Sequence, residues 1–463
     1  MAAAAKAFKD MQTANLEPNI VVYTSLIKAF VRNEDYETTW QVFNLLKYKS
    51  KATAPDEITY SLMLHVCAET GACEKAEELW RELLTHVEKP QADTFRNIIH
   101  ACAVRKHYFT QAWKYASDMT TAGYPLDRET LNILITACAR KGELTRARLL
   151  IRHMMDSSSP AMQPNKFTYQ NFLRCYASYQ PPLTPDRRSK MKHHSQIMAP
   201  GADFTISDAP FLLPENRLVK RSAEDAEHIE IPFLPKAVLQ TWREVLDEAA
   251  LVVNWIRDHY PDIVDTQFMN SYLYICMAQR GASNVADLKW SYRNDFKNPA
   301  SCADPEPEVI DPLLDDFPRV ERNIYTYDVA LEAAHKFRKL DFAREVWMDR
   351  LRYMQSPECA AIKPAIRQRM DRNAQLNMIN CLAGCDHLPE ARQAVEMLSE
   401  KGVQFEWEDL RTLYTKAVQA EDPETLMMIK NHTSPKEGKE EFKVLMADDL
   451  KGVSVKPART RRR

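Results

Sequence analysis

The side chains of this sequence that could bind a metal ion are its ten cysteines and a group of carboxylates near residue 310. Structural zinc sites commonly use closely spaced cysteine pairs, and the sequence contains no CxxC pair. Cys381 and Cys385 are one helical turn apart, with only His387 near them in sequence. The carboxylates lie among prolines, without the strand pattern that a metal-dependent nuclease domain needs; they are Asp304, Glu306, Glu308, Asp311, Asp315 and Asp316. The sequence therefore predicts no metal site, no cofactor and no catalytic residue.

The composition argues against several other classes of protein. The chain has 463 residues but only 9 glycines, against 26 prolines. Glycine-rich phosphate-binding loops are absent, since neither GxxxxGK[ST] nor GxGxxG occurs. No run of 18 apolar residues is present, so we expect no membrane span. The formal net charge of −2 does not by itself indicate a nucleic-acid partner.

Four consecutive segments of the N-terminal part align with one another as repeats. They are Ile20–Asp56, Glu57–Gln91, Ala92–Asp127 and Arg128–Asn165. Cys67, Cys102 and Cys138 occupy the eleventh position of successive repeats. A small side chain at one fixed position of each repeat is typical of a buried spacer, so we expect these cysteines to lie in the core.

Within each repeat the apolar residues recur at helical spacing. Tyr60, Met63 and Leu64 lie on one face of a first helix, because residues three and four apart are neighbours on a helix. Gly71 then ends this helix, and a second helix with Ala76 on its buried face follows. A proline near the end of most repeats stops the second helix. One such pair cannot bury its apolar face alone, so neighbouring pairs must stack into a solenoid.

This pattern resembles the pentatricopeptide repeat. The shared features are an aromatic residue or leucine at the fourth position, an apolar pair at the seventh and eighth, an alanine near the twentieth, and a closing Pro-Asp-like step. The junctions LEPNIVVYTSLIKAF, APDEITYSLML and MQPNKFTYQNFL carry the resemblance, which is clear over Ile20–Tyr179. The Trp-Leu-Gly-Tyr pattern of tetratricopeptide repeats is absent. The resemblance implies an all-α fold, a right-handed superhelical solenoid of stacked helix-turn-helix pairs, here with two irregular insertions.

The pattern along the chain predicts six parts. They are a repeat array over residues 1–179 (a partial repeat, four full repeats and the first helix of a fifth), a proline-rich irregular insertion at 180–235, degenerate helical pairs at 236–290, an acidic proline-rich loop at 291–320, degenerate C-terminal repeats at 321–433, and a disordered basic tail at 434–463. We expect the helix that starts near Lys236 to partner the one over Phe167–Tyr179. The first residues resemble the end of a second helix, so we expect a truncated N-terminus.

The resemblance also implies which residues contact RNA. First helices line the groove, and the fifth and last residues of a repeat together contact one base. These base-contacting pairs are Thr24 with Asp56, Ser61 with Gln91, Arg96 with Asp127, and Asn132 with Asn165. The Thr–Asp pair implies G and the Asn–Asn pair a pyrimidine, especially C, while the other two depart from the common pairs. Val21 and Ile58 would insert between bases, whereas Asp93 and Glu129 occupy the matching places of the next two repeats. The alternative for each polar pair is an interhelical hydrogen bond or a solvated turn.

Charge is distributed unequally between the two helices of a repeat. First helices favour basic over acidic residues, and acidic residues concentrate on second helices. The side chains expected to contact RNA phosphates are Lys28, Arg32, Arg105, Arg140, Lys141 and Arg174. Such contacts would supply much of the affinity and its dependence on salt. The alternative is an ordinary solvated face.

The resemblance implies a protein of mitochondrial RNA metabolism that binds single-stranded RNA and is not an enzyme. The most favoured role is small-subunit rRNA processing, maturation and ribosome assembly, or transcript processing and stability. Expected partners are an rRNA precursor or organellar transcript and the mitochondrial small ribosomal subunit. The expected location is the mitochondrial matrix, although no presequence is visible. The alternatives are a structural mitoribosomal or protein-binding helical scaffold, and a nuclease linked to the repeats.

Overall fold

The structure is a computed structural model of the 463-residue chain. The residues that it describes are 11, 13, 18–49, 54–157, 159–182, 233, 234, 236, 238–279, 284–302 and 319–433. Most of the predicted proline-rich insertion, the acidic group Asp304–Asp316 and the basic tail lie outside these residues. The chain divides into two compact units, residues 1–255 and residues 256–463, which we call the N-terminal unit and the C-terminal unit.

The N-terminal unit is built from pairs of α-helices. In chain order they are α1 (Ile20–Arg32), α2 (Tyr36–Lys49), α3 (Glu57–Thr70), α4 (Cys73–Leu83), α5 (Ala92–Ala103), α6 (Phe109–Thr121), α7 (Arg128–Lys141), α8 (Leu144–Asp156), α9 (Lys166–Ser178) and α10 (Trp242–His259). The boundary between the two units falls within α10. A short 3₁₀ turn, Lys106–Tyr108, precedes α6.

The first helix of each repeat packs against the first helices on either side of it. Thus α1, α3, α5, α7 and α9 contact one another in that order, and we call them the first-helix row. The second helices α2, α4, α6 and α8 each pack against their own first helix. Cys67, Cys102 and Cys138 are fully buried between these layers, which confirms that they are core spacers. The predicted all-α class and the stacking of helical pairs are also confirmed.

Asparagine and aspartate side chains start most helices of the row. Asp56, Asp127 and Asn165 each accept a hydrogen bond from the backbone N–H three residues later, which satisfies a donor that the helix leaves free. These N-cap residues are also the last residues of the preceding repeats. The residue that ends one repeat is therefore held by the helix that begins the next.

Gly142 ends α7 in a conformation that other residues adopt only with strain. Its φ is +82°, in the left-handed region, where a glycine has no steric penalty. A Cβ atom at this position would lie 2.9 Å from the backbone oxygen of Ser178. The end of α7 can therefore approach the end of α9 only because residue 142 lacks a side chain.

A buried charged cluster joins α10 to the last helices of the array. Glu248 on α10 accepts a hydrogen bond from the Tyr176 hydroxyl at 2.8 Å, and its Oε1 lies 3.1 Å from Nε of Arg148. Arg148 also donates to the backbone oxygens of Leu234 (3.0 Å) and Lys236 (2.7 Å). Both Arg148 and Glu248 are essentially inaccessible to solvent. Leu234 and Lys236 are therefore held against α8, and Leu234 also donates its backbone N–H to Glu248 of α10.

The C-terminal unit continues the paired arrangement with less regular helices. Its elements are α11 (Thr266–Ala278), α12 (Asn284–Asn294), β1 (Phe296–Lys297), β2 (Val320–Glu321), α13 (Ile324–Phe337), α14 (Leu340–Tyr353), α15 (Pro357–Ala360), α16 (Pro364–Gly384), α17 (Leu388–Glu400), α18 (Arg411–Gln419) and α19 (Pro423–His432). Here α11, α13, α16 and α18 contact one another in order. The pairs are α11 with α12, α13 with α14, α16 with α17, and α18 with α19.

The two short strands of the C-terminal unit form a parallel pair that an arginine secures. Phe296 lies opposite Val320 in this pair. The buried guanidinium of Arg322, just after β2, donates to the backbone oxygen of Tyr292 at 2.9 Å and to the side chain of Asn298 at 2.7 Å. These bonds fix β2 against the end of α12. Among the helices that the structure describes, none combines the length and apolar character that a membrane span requires.

Candidate nucleic-acid interface

The first predicted pair, Thr24 and Asp56, is brought together through a third residue. The Thr24 hydroxyl lies 2.9 Å from the Thr59 hydroxyl, which in turn lies 2.6 Å from Oδ1 of Asp56. The backbone N–H of Thr59 also donates to Asp56 as part of the helix cap. Thr24 is largely buried, and its hydroxyl is also close to the backbone oxygen of Ile20. The fifth residue of the first repeat and its last residue thus form one hydrogen-bonded group.

The pair Asn132 and Asn165 has the same arrangement. The Thr168 hydroxyl lies 2.7 Å from Oδ1 of Asn132 and 2.9 Å from Oδ1 of Asn165. The backbone N–H of Asn165 donates back to the Thr168 hydroxyl, which completes a capping box. Since the side-chain oxygen of Asn132 faces Thr168, the side-chain NH₂ group of Asn132 faces away from this contact.

The pair Arg96 and Asp127 is a direct ion pair. A guanidinium nitrogen of Arg96 lies 2.6 Å from Oδ2 of Asp127, and the same guanidinium also contacts Asp93 at 2.9 Å and Glu129 at 3.4 Å. Burial raises the pKa of Asp127, but hydrogen bonds from Thr130 and the charge of Arg96 outweigh burial and lower it overall. Three carboxylates therefore surround Arg96, and this position presents net negative charge.

The remaining predicted pair, Ser61 and Gln91, is not joined in the structure. The Ser61 hydroxyl accepts a hydrogen bond from the side-chain nitrogen of Asn97 at 2.9 Å. The backbone N–H of Gln91 instead donates to the carboxylate of Glu57. The two residues are thus engaged with different neighbours, and the geometry of the Thr24 and Asn132 junctions is not repeated here.

The two apolar side chains expected to insert between bases are exposed. Val21 is 66% exposed and Ile58 is 51% exposed, each at the second position of a first helix. Phe167 and Tyr325 hold the same second position in α9 and α13, and they are 52% and 44% exposed. Large aromatic rings in contact with water can stack on bases. The sequence reasoning missed both residues, although their position after the helix cap could have indicated them.

The six residues expected to contact phosphates differ in their surroundings. Lys28, Arg32 and Lys141 lie on the surface of first helices. Arg105 is exposed and lies 3.4 Å from a carboxylate oxygen of Glu74. A pair of this kind is weak in water, so Arg105 can exchange Glu74 for a phosphate at little cost.

Arg140 and Arg174 form a separate basic group on α7 and α9. Arg140 donates to the backbone oxygen of Ala103 at 3.0 Å, and Arg174 donates to Oδ1 of Asn171 at 3.2 Å. Partial burial and then the nearby charge of Arg174 lower the pKa of Arg140 below its usual value. Two like charges held close together favour an anion between or beside them.

A further junction of this type, which the sequence reasoning missed, lies in the C-terminal unit. Asn270 is the fifth residue of α11, and Asn323 is the N-cap of α13. The Thr326 hydroxyl lies 2.8 Å from Oδ1 of Asn270 and 3.1 Å from Oδ1 of Asn323. The side-chain amide of Asn270 also donates directly to Oδ1 of Asn323 at 3.1 Å. These contacts reproduce the Asn–Thr–Asn arrangement of the N-terminal unit.

A short sequence pattern marks both Asn–Thr–Asn junctions. The sequence reads NKFTY from Asn165 and NIYTY from Asn323, so an asparagine precedes an aromatic residue, a threonine and a tyrosine at fixed spacing. At both places the threonine joins this asparagine to the fifth residue of the preceding first helix, Asn132 of α7 or Asn270 of α11.

Two other fifth-position residues carry buried polar atoms. Gln170 on α9 is 8% exposed, and its side-chain nitrogen has no hydrogen-bond partner within the described part of the chain. Oδ1 of Asp328 on α13 is also buried and has no hydrogen-bond partner among the described residues. Burial and the charge of Glu332 raise the pKa of Asp328 to about 6. Buried polar atoms usually find a partner, so Gln170 is suited to donate a hydrogen bond to a ligand and Asp328 to accept one.

Comparisons with known proteins find the repeat pattern in the N-terminal unit. A model described as "PPR repeat family" matches residues 18–69, and one described as "PPR repeat" matches residues 58–86 and 129–159. The chain is 23% identical over 441 residues to the "Mitochondrial 15S rRNA processing factor CCM1" of Komagataella phaffii, covering 88% of the chain and 56% of that relative. The protein of the same name from Yarrowia lipolytica is 23% identical over 461 residues, covering 86% and 57%. The chain thus spans a little more than half the length of these relatives.

A search of solved structures gave a further similarity. The maize pentatricopeptide repeat protein PPR10 in complex with an 18-nt psaJ RNA element has 16% sequence identity and a TM-score of 0.47, covering 96% of this chain and 57% of that one. The family models thus find pentatricopeptide repeats at residues 18–86 and 129–159 of this chain, where the structure has the helix pairs α1–α2, α3–α4 and α7–α8.

Proposed function

We propose that this chain binds single-stranded RNA and acts in mitochondrial small-subunit rRNA processing and ribosome assembly. The observation that carries the proposal is the recurring junction in which a threonine hydroxyl joins the fifth residue of one repeat to its last residue. Thr24, Asn132 and Asn270 are all held in this way. Fixed polar groups can form hydrogen bonds to a base edge with little loss of side-chain entropy. The names of the relatives support the rRNA substrate and the mitochondrial location.

The two Asn–Thr–Asn junctions suggest what kind of base each would contact. At both junctions the side-chain oxygen of the fifth-position asparagine faces the threonine hydroxyl. The side-chain NH₂ group of Asn132 is then the part turned to the ligand, whereas that of Asn270 uses one hydrogen for Asn323 and keeps the second for the ligand. An NH₂ group donates to acceptors such as the O2 and N3 atoms of cytosine. Asn132 and Asn270 would therefore favour the same base, a pyrimidine. The exposed rings of Phe167 and Tyr325 would stack on neighbouring bases.

Selection from a random pool of single-stranded RNA tests the base contacts. Sequencing of the RNA retained by the wild-type chain should give a motif with a defined pyrimidine at the position that Asn132 contacts. The Asn132→Ala variant should lose the preference at that one position and keep the others. Asn44→Ala, which changes an exposed residue of a second helix, is the matched control and should leave the motif unchanged. An identical motif for wild type and Asn132→Ala would refute the proposed contact.

Crosslinking in cells followed by sequencing of the bound RNA tests the rRNA assignment. The expected result is enrichment of mitochondrial small-subunit rRNA and its precursor over messenger RNAs. Enrichment of messenger RNAs alone would support transcript processing or stability instead. The proposal includes no catalytic step.

The second candidate function is a protein-binding scaffold, and one observation favours it. The centre of the first-helix row carries Asp93, Asp127 and Glu129 around a single arginine, Arg96. This acidic group would repel a phosphate backbone and would attract a basic peptide. Basic ribosomal-protein peptides should bind the wild-type chain, and the double variant Asp93→Asn with Glu129→Gln should lose this binding if the scaffold function is correct. If the same variant keeps its RNA binding, the chain has both functions.

A further inference from the structure

Three potential metal ligands from two adjacent repeats meet on the first-helix row. His65 and Glu69 lie four residues apart on α3, and His100 lies on the neighbouring α5. Residues four apart share one face of a helix, so the first two side chains point the same way. One ligand atom from each of the three residues lies within 4.8 Å of the others. The group is half-buried at the two histidines and exposed at Glu69.

The types of ligand in this group suit a transition-metal ion. Two imidazoles and one carboxylate are a common set around zinc, with a fourth position left for water. Zinc–nitrogen bonds of ~2.0–2.1 Å place neighbouring ligand atoms of a tetrahedral site about 3.4 Å apart. Side-chain rotations that move the ligand atoms by about an ångström would therefore bring all three within bonding distance of one metal ion. Oxygen-preferring ions such as Mg²⁺ would gain little from two imidazoles.

The group combines two imidazoles, which can be neutral, with one carboxylate, that of Glu69. The negative charge of Glu69 would offset part of the charge of a divalent ion.

We propose that His65, Glu69 and His100 form a binding site for a divalent transition-metal ion of the Zn²⁺ type. Bound metal would tie α3 to α5 and so stabilise the contact between two repeats. His65 and His100 each lie one helical turn after a fifth-position residue, Ser61 and Arg96. The open coordination position would therefore lie on the same row of helices as the base-contacting pairs. The site is independent of RNA binding, and either can exist without the other.

The sequence alone did not indicate this site because its ligands come from two different repeats. His65 and His100 are 35 positions apart, which is one repeat length, and neither belongs to a recognisable metal-binding motif. Only the stacking of α3 against α5 brings the two imidazoles together.

Metal titration of the chelator-treated full chain tests the proposal. Calorimetry with Zn²⁺ should show one equivalent bound with a dissociation constant of about 1 μM or less, and Co²⁺ should give the visible absorption of a tetrahedral site. Glu69→Gln and His100→Gln should each weaken Zn²⁺ binding by about 10-fold or more. Zn²⁺ should raise the thermal midpoint of the wild type and not that of the variants, whereas Mg²⁺ should have no effect.

The control variant is His107→Gln, which changes an exposed histidine in the 3₁₀ turn after α5 and should bind Zn²⁺ like the wild type. Circular dichroism will show whether each variant keeps its helix content, and Glu69→Gln changes an exposed side chain. Equal Zn²⁺ affinity in the wild type, Glu69→Gln and His100→Gln would overturn the proposal. Binding of Zn²⁺ only at millimolar concentration would overturn it as well.

Discussion

At the scale of single residues, the recurring device is a threonine at the third position of a first helix. Thr59, Thr168 and Thr326 each place a hydroxyl between an N-cap side chain and the fifth residue of the preceding repeat. Each hydroxyl therefore serves the helix cap and the predicted base-contacting residue at once. A change at the threonine should affect both the stability of the junction and the orientation of the polar group beside it.

Replacing this hydroxyl with a methyl group tests its role. Thr168→Val keeps the shape of the side chain but removes the contacts to Asn132 and Asn165, so we expect the free energy of unfolding to fall by about 1–2 kcal/mol. Thr168→Ser should restore most of the loss. Urea denaturation measures both effects. Thr121→Val is the control, because this exposed threonine bonds only to the backbone of its own helix; an equal loss there would show that the junction has no special role.

Asp328 should make the stability of the fold depend on pH. Its pKa in the folded chain is raised to about 6, above the usual value of 3.8, because burial disfavours the charged carboxylate. Folding then favours the protonated form, so this stabilisation is fully present below pH 3.8 and is lost as the pH rises through 6. In the wild type, this group makes the free energy of unfolding about 1–2 kcal/mol larger at pH 4.5 than at pH 7, and we expect Asp328→Asn to remove that difference. Urea denaturation at pH 4.5 and 7 will measure it, with the exposed Asp341→Asn as control; equal pH profiles for wild type and Asp328→Asn would contradict the prediction.

At the scale of helices, the close approach between α7 and α9 depends on Gly142. Gly142 and Gly123 both have φ in the left-handed region, at +82° and +90°. An added Cβ would meet the backbone of Ser178 at position 142 but would meet nothing within 4 Å at position 123. Gly123→Ala should cost about 1 kcal/mol for backbone strain alone. Gly142→Ala should lower the free energy of unfolding by at least ~1 kcal/mol more than Gly123→Ala does, as measured by urea denaturation. Equal losses in the two variants would show that α7 and α9 can move apart without penalty.

The attachment of α10 depends on one buried carboxylate. Glu248→Gln would leave Arg148 charged and buried without its ionic partner, so we expect a loss of about 3 kcal/mol in the free energy of unfolding. Asp247 is the adjacent residue and forms an exposed ion pair with Arg243. Asp247→Asn should change stability by only about 0.5 kcal/mol. Similar effects from the two changes would mean that water reaches Glu248 and that the buried cluster does not hold α10.

The sequence predicted the helices of the N-terminal unit well because their apolar residues keep a strict helical period and their caps are Asn, Asp or Gly. It placed Cys67, Cys102 and Cys138 in the core for the same reason. Apart from the pairs that the family resemblance supplied, it could not predict contacts whose partners come from distant positions. The His65–Glu69–His100 group and the Asn270–Asn323 junction arise only when helices from different repeats stack. In the C-terminal unit, longer connections hid this correspondence, of which the match between NKFTY and NIYTY is the sign within the sequence.

At the scale of the whole molecule, a formal net charge of −2 conceals an uneven distribution. Exposed cations lie on first helices at Lys28, Arg32 and Lys141, and burial and then the charge of Arg174 on α9 lower the pKa of Arg140 on α7. Carboxylates at Asp93 and Glu129 interrupt the positive charge near the centre of the row. A ligand with phosphates along its backbone would therefore contact the ends of the row more strongly than its middle.

The salt dependence of RNA binding tests this account most directly. Six phosphate contacts on single-stranded RNA, at about 0.7 released ions each, predict a slope near −4 when the logarithm of the association constant is plotted against the logarithm of salt concentration. The RNA would be a single-stranded segment of small-subunit rRNA precursor, titrated between 50 and 200 mM salt. Arg140→Gln combined with Arg174→Gln should reduce the slope by about 1 to 1.5. A slope near zero, or one that the double variant leaves unchanged, would contradict the account.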